Sequence, residues 1–371
     1  MPPRPGQPQT TQQAPRVVPP AAEPNQAQQP LPTTPQRPLA GPAARPPNAA
    51  APPPQRMPVP AQAAQPASPS QMGAQRLDQL RQERHERVEN NGQRTVIEEP
   101  GRTIIEENGH AVIRHDETER FRLLGGNIHV EQQRGGATTT VVRRPDNVEI
   151  VTIVDPNGRL LRRVRRMPDG HEFVLIDNRP RPGIVVGIDP IVLLPPLRLA
   201  IPRDEYIVDT EELPPPRIVE VLEAPPLERL ERAYTLDEIR YSITLRDRMR
   251  RIDLNTINFE TGSWQVDEDQ VPRLTTIAEA ISAVIHRNPN EMFLIEGHTD
   301  AVGSDVDNLS LSDRRAESVA LVLSQNFQVP PENLTTQGYG AHELKVQTME
   351  PSRENRRVTI RRITPLLTGA P

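Results

Sequence analysis

GHTDAVGSDVDNLSLSDRRAESV, residues 297–319, joins two elements whose apolar patterns are clear. The run from Met292 to Glu296 before it is short and apolar, which predicts a buried strand. Residues 311–326 predict a helix that faces a core through Ala316, Val319, Ala320 and Leu323. Asp300 would therefore leave the end of a strand, and Arg315 would lie in about the first turn of the following helix.

The segments on either side extend this pattern over residues 251–363. Ile252 to Phe259 alternate like a strand, and residues 271–287 form a strongly amphipathic helix. Two more strands are predicted at Leu334 to Gln337 and at Arg357 to Ile363. This order predicts an α+β domain of the βαβαββ type, with its helices on one face of a mixed sheet.

Several separated motifs in this region resemble the C-terminal domain of the OmpA family. The quoted stretch follows the family pattern T-D-x-x-G…N…L-S-x-R-R-A-x-x-V through Thr299, Asp300, Gly303, Asn308, Leu311, Ser312, Arg314, Arg315 and Ala316. FETGS from Phe259 resembles the opening F-x-x-G/N-S, and the chain also has a G-Y-G at 338–340 and an N-R-R-V at 355–358. The resemblance does not extend to residues 1–230.

This resemblance implies a non-catalytic domain that binds peptidoglycan through the diaminopimelate of the stem peptide. By position, the principal contacts would be Asp300 and Arg315, and the further candidates are Asn308, Thr299 and Arg356. No cofactor and no metal are implied. Outer-membrane or other envelope proteins are further candidate partners.

The chemistry of the ligand explains why an acid and an arginine are needed. The free end of diaminopimelate carries an ammonium and a carboxylate, so Asp300 can accept from the first and Arg315 can clamp the second. Charge-assisted hydrogen bonds contribute about 1.5–3 kcal/mol each. We expect the Arg315 side chain to be partly exposed and backbone N–H groups at the helix start to favour the anion. Val306-Asp307-Asn308 stands where an aromatic residue often precedes the Asn, so the pocket wall should differ from that of other members.

Composition separates the rest of the chain from this domain. Of the 44 prolines in 371 residues, 22 lie in residues 1–70, and residues 1–75 are a low-complexity Pro/Gln/Ala segment. Such a segment buries too little apolar surface to order, so we predict a disordered linker with local polyproline II structure. Cysteine is absent, which excludes disulfides and thiolate metal sites. A net charge of −5 with both signs interspersed argues against a nucleic-acid partner.

Residues 93–178 predict antiparallel β-structure. Asn-Gly and Asp-Gly turn signals separate seven short β-prone runs. These runs are RTVIEE, RTIIEE, HAVIRH, TTTVVRR, VEIVTIV, RLLRRVRR and HEFVLI. We interpret them as a single twisted meander of unknown role, with one apolar face and one solvated basic face that carries Arg162, Arg163, Arg165 and Arg166.

The segments around the β-region are expected to be less regular. In the proline-punctuated connector, Glu205–Val208 and Ile218–Leu222 are expected to be extended, and Thr235 and Glu238 have the spacing of a capping box that starts a helix ending near Tyr241. The predicted organisation is a linker at 1–75, a charged helical segment at 76–92, the β-region at 93–178, the connector at 179–250, the peptidoglycan-binding domain at 251–363 and a tail at 364–371.

Other function classes fit the sequence less well. His298, Asp300 and Ser310 could be imagined as a hydrolytic triad, but no nucleophile elbow, oxyanion motif or zinc pattern accompanies them. We therefore predict that the protein is not an enzyme, with a wall hydrolase as a less favoured alternative. A second alternative is an adhesive or scaffold protein in which the β-region has the main role and the C-terminal domain only tethers it.

The predicted location is the periplasmic face of the outer membrane. No stretch is apolar enough for a transmembrane helix, and residues 1–30 lack the apolar segment of a signal peptide. Flagellar stator subunits with a similar domain need such a helix, so that class is not favoured. Because peptidoglycan lies outside the cytoplasmic membrane, we expect the natural chain to begin upstream of Met1.

Overall fold

The computed structural model describes residues 69–107, 109–122, 127–179, 192–210, 213–260 and 262–369. Most of the predicted linker, up to residue 68, lies outside these described residues, as do residues 180–191 of the connector. Within the described ranges, no helix has the length and apolar character needed to cross a membrane.

The first described elements are a helix and a four-stranded antiparallel sheet. They are α1 (Pro69–Gln82), β1 (His85–Glu89), β2 (Arg94–Glu99), β3 (Arg102–Glu107) and β4 (His110–His115), and the strands pair in chain order. The predicted helical segment is therefore only partly helical, since residues 85–89 pair with β2. A turn at Asn90–Gly92 with positive φ at each residue reverses the chain and makes this pairing possible.

A second antiparallel sheet follows a short helix. Its elements are α2 (Thr118–Arg122), β5 (Asn127–Gln132), β6 (Thr138–Arg143), β7 (Glu149–Val154), β8 (Leu160–Arg166) and β9 (Glu172–Asp177), again with strands in chain order. The prediction of antiparallel β-structure is confirmed, and all seven predicted runs are strands. The single meander is wrong, because α2 separates two sheets.

The basic face of β8 is not the solvated surface that the alternation predicted. Arg163 is 1% exposed and Arg165 is 7% exposed. Arg163 Nη2 donates to Glu117 Oε2 at 2.6 Å, and Arg165 Nη1 donates to the Pro289 carbonyl at 2.7 Å. Local alternation could not show that this face packs on the C-terminal domain, where the Leu334 carbonyl accepts from Arg163 and Glu332 accepts from Arg165.

The connector contributes more regular structure than predicted. It contains α3 (Arg203–Tyr206), β10 (Ile207–Asp209), α4 (Pro215–Glu223), α5 (Leu236–Tyr241) and α6 (Ile243–Arg246). The capping box at Thr235 is confirmed, with Glu238 N donating to Thr235 Oγ1 at 3.2 Å. The extended piece expected at Ile218–Leu222 is helical instead, because its buried side chains share one face and pack into the core of the C-terminal domain.

The C-terminal sheet is mixed and includes a strand from the connector. Its further elements are β11 (Arg251–Asp253), α7 (Thr275–Arg287), β12 (Phe293–Gly297), α8 (Asp305–Phe327), β13 (Leu334–Gly338), β14 (Val358–Arg362) and α9 (Thr364–Thr368). The strand order is β10-β11-β14-β12-β13, with the pairs β10/β11 and β12/β13 parallel. The strand expected from Ile252 to Phe259 ends at Asp253, where the backbone turns while Phe259 still reaches the core.

Both faces of this sheet are covered, which corrects the expectation of helices on one face. Phe293 and Ile295 of β12 face the core formed with α4, α7 and α8. Met292 and Leu294 point to the other side, into a cluster with α5, α6 and α9. A continuous apolar run is what a strand buried on both faces requires.

Candidate functional site

The five candidate residues line one cavity of about 510 Å³ at the C-terminal end of β12. These residues are Thr299, Asp300, Asn308, Arg315 and Arg356. The first two follow β12, the next two lie on α8, and Arg356 precedes β14. The structure therefore brings together residues that span 58 positions of sequence.

Helix α8 begins six residues earlier than predicted, which moves Arg315 away from the helix start. Ser304 caps the helix, and its hydroxyl accepts from Asp307 N at 3.1 Å. Arg315 consequently lies in the third turn, so the backbone N–H groups of the first turn cannot act beside it as expected. Gly303, with φ +103°, provides the loop geometry before the cap.

Close packing of α8 on the strand ends sets the position of the site. A Cβ atom added to Gly297 would overlap the Ser312 carbonyl oxygen, and one added to Gly338 would overlap Asp313 N. Glycine at these two strand ends lets the helix backbone approach directly. This approach holds Asn308 and Arg315 against the loop that carries Asp300.

Asp300 is a buried carboxylate with protein donors around it. Its side chain accepts from Arg356 Nη1 at 2.7 Å, from Val302 N at 3.3 Å and from Ser352 N at 3.4 Å. Asp300 as a whole is 7% exposed and still lines the cavity. It can therefore offer a ligand cation an acceptor that is already oriented.

Arg315 is 1% exposed, which corrects the expectation of a partly exposed side chain. Its Nε donates to the Ser263 carbonyl at 3.0 Å, and its guanidinium lies 5.0 Å from the ring centroid of Phe259. These contacts with Ser263 and Phe259 fix the position of the planar guanidinium group. Burial, with a smaller contribution from Arg356, lowers the pKa of Arg315 to about 10, so an anion in the cavity would stabilise its charged form.

Several residues that line the cavity also contain buried donors without a partner. Among the residues that the structure describes, buried side-chain atoms without a hydrogen-bond partner include Arg315 Nη1, Thr299 Oγ1, Asn308 Nδ2 and Arg356 Nε. Each belongs to a residue that lines this cavity. A buried donor without a partner costs about 1–3 kcal/mol, so four of them around one space favour a ligand with acceptor oxygens.

Sequence reasoning missed part of the wall. Asp307, Leu311 and Pro351 also line the cavity, and so do Leu77, Asp78 and Arg81 of α1. Asp307 lies inside the quoted motif, where its position beside Asn308 was a usable signal. The α1 residues are more than 200 positions away in sequence, and no local pattern links them to the site.

The imagined hydrolytic triad is not assembled. His298 is fully buried, and neither ring nitrogen has a hydrogen-bond partner among the described residues. The Ser310 hydroxyl is buried and donates to Glu99 of the first sheet. A nucleophile must be in hydrogen-bond reach of its base and accessible to substrate, and this serine meets neither condition.

Comparison with known proteins agrees with the geometry. Residues 258–357 match the model of the OmpA family. A peptidoglycan-associated lipoprotein of Buchnera aphidicola is 33% identical over 87 residues, which cover 24% of this chain and 47% of the relative. An outer-membrane lipoprotein YfiB of Pseudomonas aeruginosa is 37% identical over 98 residues, covering 26% of this chain and 55% of the relative.

The chain thus spans about half the length of these curated relatives. Among solved structures, the peptidoglycan-associated lipoprotein of Burkholderia pseudomallei is 24% identical, with a TM-score of 0.26, and the match covers 29% of this chain and 87% of that one. The motifs and the family match coincide on the same residues, and we conclude that residues 258–357 of this chain are a domain of the OmpA family.

Proposed function

We propose that this protein is a non-catalytic cell-envelope protein that binds peptidoglycan at the cavity between α8 and the end of β12. The ligand group is the diaminopimelate of the stem peptide, and the place of action is the periplasmic face of the outer membrane. Relatives named as peptidoglycan-associated and outer-membrane lipoproteins support this class of role.

The observation that carries the proposal is that, among the described residues of the cavity wall, Arg315 is the arginine without a carboxylate partner. Asp300 has Arg356 as a partner at 2.7 Å, and Asp307 has Arg81 at 2.9 Å. Among the described residues, no carboxylate lies within ion-pair distance of Arg315. A ligand carboxylate in the cavity would provide the missing anion for Arg315, whose Nη1 has no hydrogen-bond partner among the described residues.

The remaining donors extend the same recognition. Asn308 Nδ2 and Thr299 Oγ1 can donate to the second carboxylate oxygen or to the peptide carbonyls beside it. The ammonium of diaminopimelate would lie at Asp300, where it shares the carboxylate with Arg356. The cavity therefore fits a zwitterion, whose two charges each have a separate partner.

Calorimetry with two stem peptides tests this assignment. A diaminopimelate peptide should bind about tenfold to more than a hundredfold more tightly than the lysine peptide, which has the ammonium and lacks the carboxylate, because one charge-assisted contact of about 1.5–3 kcal/mol is lost. Amidation of the diaminopimelate carboxylate should weaken binding similarly. Equal affinity for the two peptides would refute the zwitterion mechanism.

A second measurement separates local recognition from general charge attraction. Raising the salt concentration should reduce the affinity only modestly, since a few enclosed contacts are involved and a broad basic patch is not. The non-catalytic assignment is tested by cosedimentation of the protein with purified walls and by measuring the turbidity of the wall suspension over time. Clearing of the suspension by the protein would contradict it.

A further inference from the structure

Helix α1 borders the proposed binding cavity, although it lies far outside the residues that match the family. Leu77, Asp78 and Arg81 line the cavity together with Asp300 and Arg315. The matched region begins at residue 258, so the family match says nothing about this wall. The cavity of this protein is therefore completed by a segment of its own.

Two arginines attach α1 and the start of the first sheet to α8 through one carboxylate. Arg81 Nη2 lies 2.9 Å from Asp307 Oδ2, and Arg84 Nη1 lies 2.6 Å from Asp307 Oδ1. Arg84 also reaches Glu99 of β2 at 3.1 Å. The first sheet thereby holds the C-terminal end of α1 in place beside the cavity.

Contacts between the first sheet and α8 make this placement firm. Ile97, Ile104 and Ile113 form an apolar cluster with Leu309 of α8. On the next turn of α8, Arg102 Nε donates to Asp313 Oδ2 at 2.9 Å. α1 is therefore anchored by a sheet that packs on the same helix that carries Arg315.

The negative charge of Asp307 lies in the wall of the cavity. It is 5% exposed, lines the cavity and directly precedes Asn308. Burial raises the pKa of Asp307, but hydrogen bonds from Arg81, the Ser304 hydroxyl and Arg84 outweigh burial and lower it to about 2. Asp307 is thus an anion at neutral pH, and without compensation it would repel the ligand carboxylate that Arg315 is proposed to bind.

We propose that α1 is a specificity-determining wall of the cavity and that Arg81 makes the cavity accept a carboxylate by neutralising Asp307. This inference rests on the proposed function. Arg81 acts as a positioning residue through Asp307, while Leu77 closes the apolar side of the cavity. The ligand class is an anionic stem peptide, and the preference for it depends on a segment outside the family domain.

The experiment is a double-mutant cycle on the full chain, with the diaminopimelate stem peptide as the titrated probe. Arg81→Gln should weaken binding about threefold to tenfold, as expected for the loss of one partly exposed ion pair, because Arg84 still pairs with Asp307. Adding Asp307→Asn to Arg81→Gln should restore part of the lost affinity, because the charge of Asp307 is then gone while Asp78, which also pairs with Arg81, keeps its charge. Arg76→Gln is the matched control, since Arg76 lies on the same helix and does not line the cavity.

Each outcome decides the inference. Unchanged affinity of Arg81→Gln would overturn it, and tighter binding would mean that α1 obstructs the cavity, which also overturns it. A double variant as weak as Arg81→Gln would show that Arg81 does not act through Asp307. The wild type and Arg315→Lys are measured in the same series to separate the two proposals. If the proposed function fails, the wild type does not bind the peptide. If only the inference fails, the wild type binds it normally.

Discussion

Arg356 Nη1 donates to Asp300 Oδ2 at 2.7 Å, and this pair closes one side of the cavity with a bridge between the loop after β12 and the residues before β14. The neighbouring Arg357 points elsewhere and donates to the Glu343 carbonyl at 3.0 Å. Arg356 therefore both orients the carboxylate and competes with a ligand ammonium for it. Its unpaired Nε leaves it a donor for a ligand oxygen as well.

Replacing Arg356 should reduce discrimination between the two stem peptides. In Arg356→Gln, the affinity for the lysine peptide should rise, because a cation that competes for Asp300 is removed. The diaminopimelate peptide loses a donor for its carboxylate. We expect the ratio of the two affinities to fall about tenfold, measured by calorimetry. Arg353→Gln is the control, because Arg353 is exposed and donates to Asn258 instead. An unchanged ratio would exclude Arg356 from recognition.

Replacing Arg315 should affect stability as well as binding. Arg315→Ala should abolish cosedimentation with walls, and it should also lower the melting temperature, because the buried side chain holds the Ser263 carbonyl. Arg315→Lys keeps a cation without the planar fork and should bind at least about tenfold more weakly than wild type, with a smaller loss of stability. Asp300→Asn, which keeps the shape, should lose binding of both peptides. Normal pelleting of all three variants would refute the site.

The buried His115 should make stability depend on alkaline pH. Its Nδ1 lies 2.9 Å from Asp313 and its Nε2 lies 3.4 Å from Glu317, both on α8. Burial lowers the pKa of His115, but these carboxylates outweigh burial and raise it from 6.5 to about 9. Because the folded pKa is raised, the stabilisation is complete below about pH 6.5 and is lost as the pH rises through about 9.

Urea unfolding between pH 6 and pH 10 measures this contribution. The free energy of unfolding should fall by about 3 kcal/mol across the interval, the amount that corresponds to the shift of the His115 pKa. His115→Gln should be less stable at pH 6 and should lose this dependence. The exposed His110 on the same strand provides a control in His110→Gln. A dependence that survives in His115→Gln would assign it to another group.

Glu117 should be the most sensitive link between the second sheet and the C-terminal domain. Its carboxylate lies 2.6 Å from Arg163 Nη2 and 2.8 Å from Arg240 Nη2, and it accepts from Thr335 Oγ1 at 2.7 Å. Glu117→Gln leaves buried guanidinium groups without their anion and should cost about 3–5 kcal/mol in a denaturant titration. Glu220→Gln removes an exposed partner of Arg217 and should cost less than about 1 kcal/mol. Equal losses in the two variants would contradict this assignment.

Fragments should show how much of the connector belongs to the C-terminal fold. A chain of residues 231–371 lacks β10 and α4, whose Ile218 and Leu222 are buried in the core. Each fully buried side chain of this kind contributes about 1.5–3 kcal/mol, so residues 202–371 should melt at a clearly higher temperature than residues 231–371. Identical melting curves would place the domain boundary after α4.

Local sequence patterns identified most elements correctly. They failed where another part of the protein packs on the element. All seven β-runs and the cap at Thr235 follow from residue alternation and turn chemistry, which act over a few positions. The same alternation assigned Arg163 to solvent, because nothing local shows which face another domain covers. The early start of α8 was missed because its first turn is polar, and the Ser304 cap outweighs apolar spacing there.

The sequence by itself determined the family of residues 258–357 and five of the side chains that line the cavity, because the motif carries chemistry and spacing together. Only the tertiary structure decided that Arg315 is buried, that Arg356 pairs with Asp300, and that α1 forms a wall of the cavity beside Asp307. The physical reason is that burial and charge compensation depend on which surfaces meet. Arg81 and Asp307 lie 226 positions apart, and only packing of the first sheet on α8 brings them together.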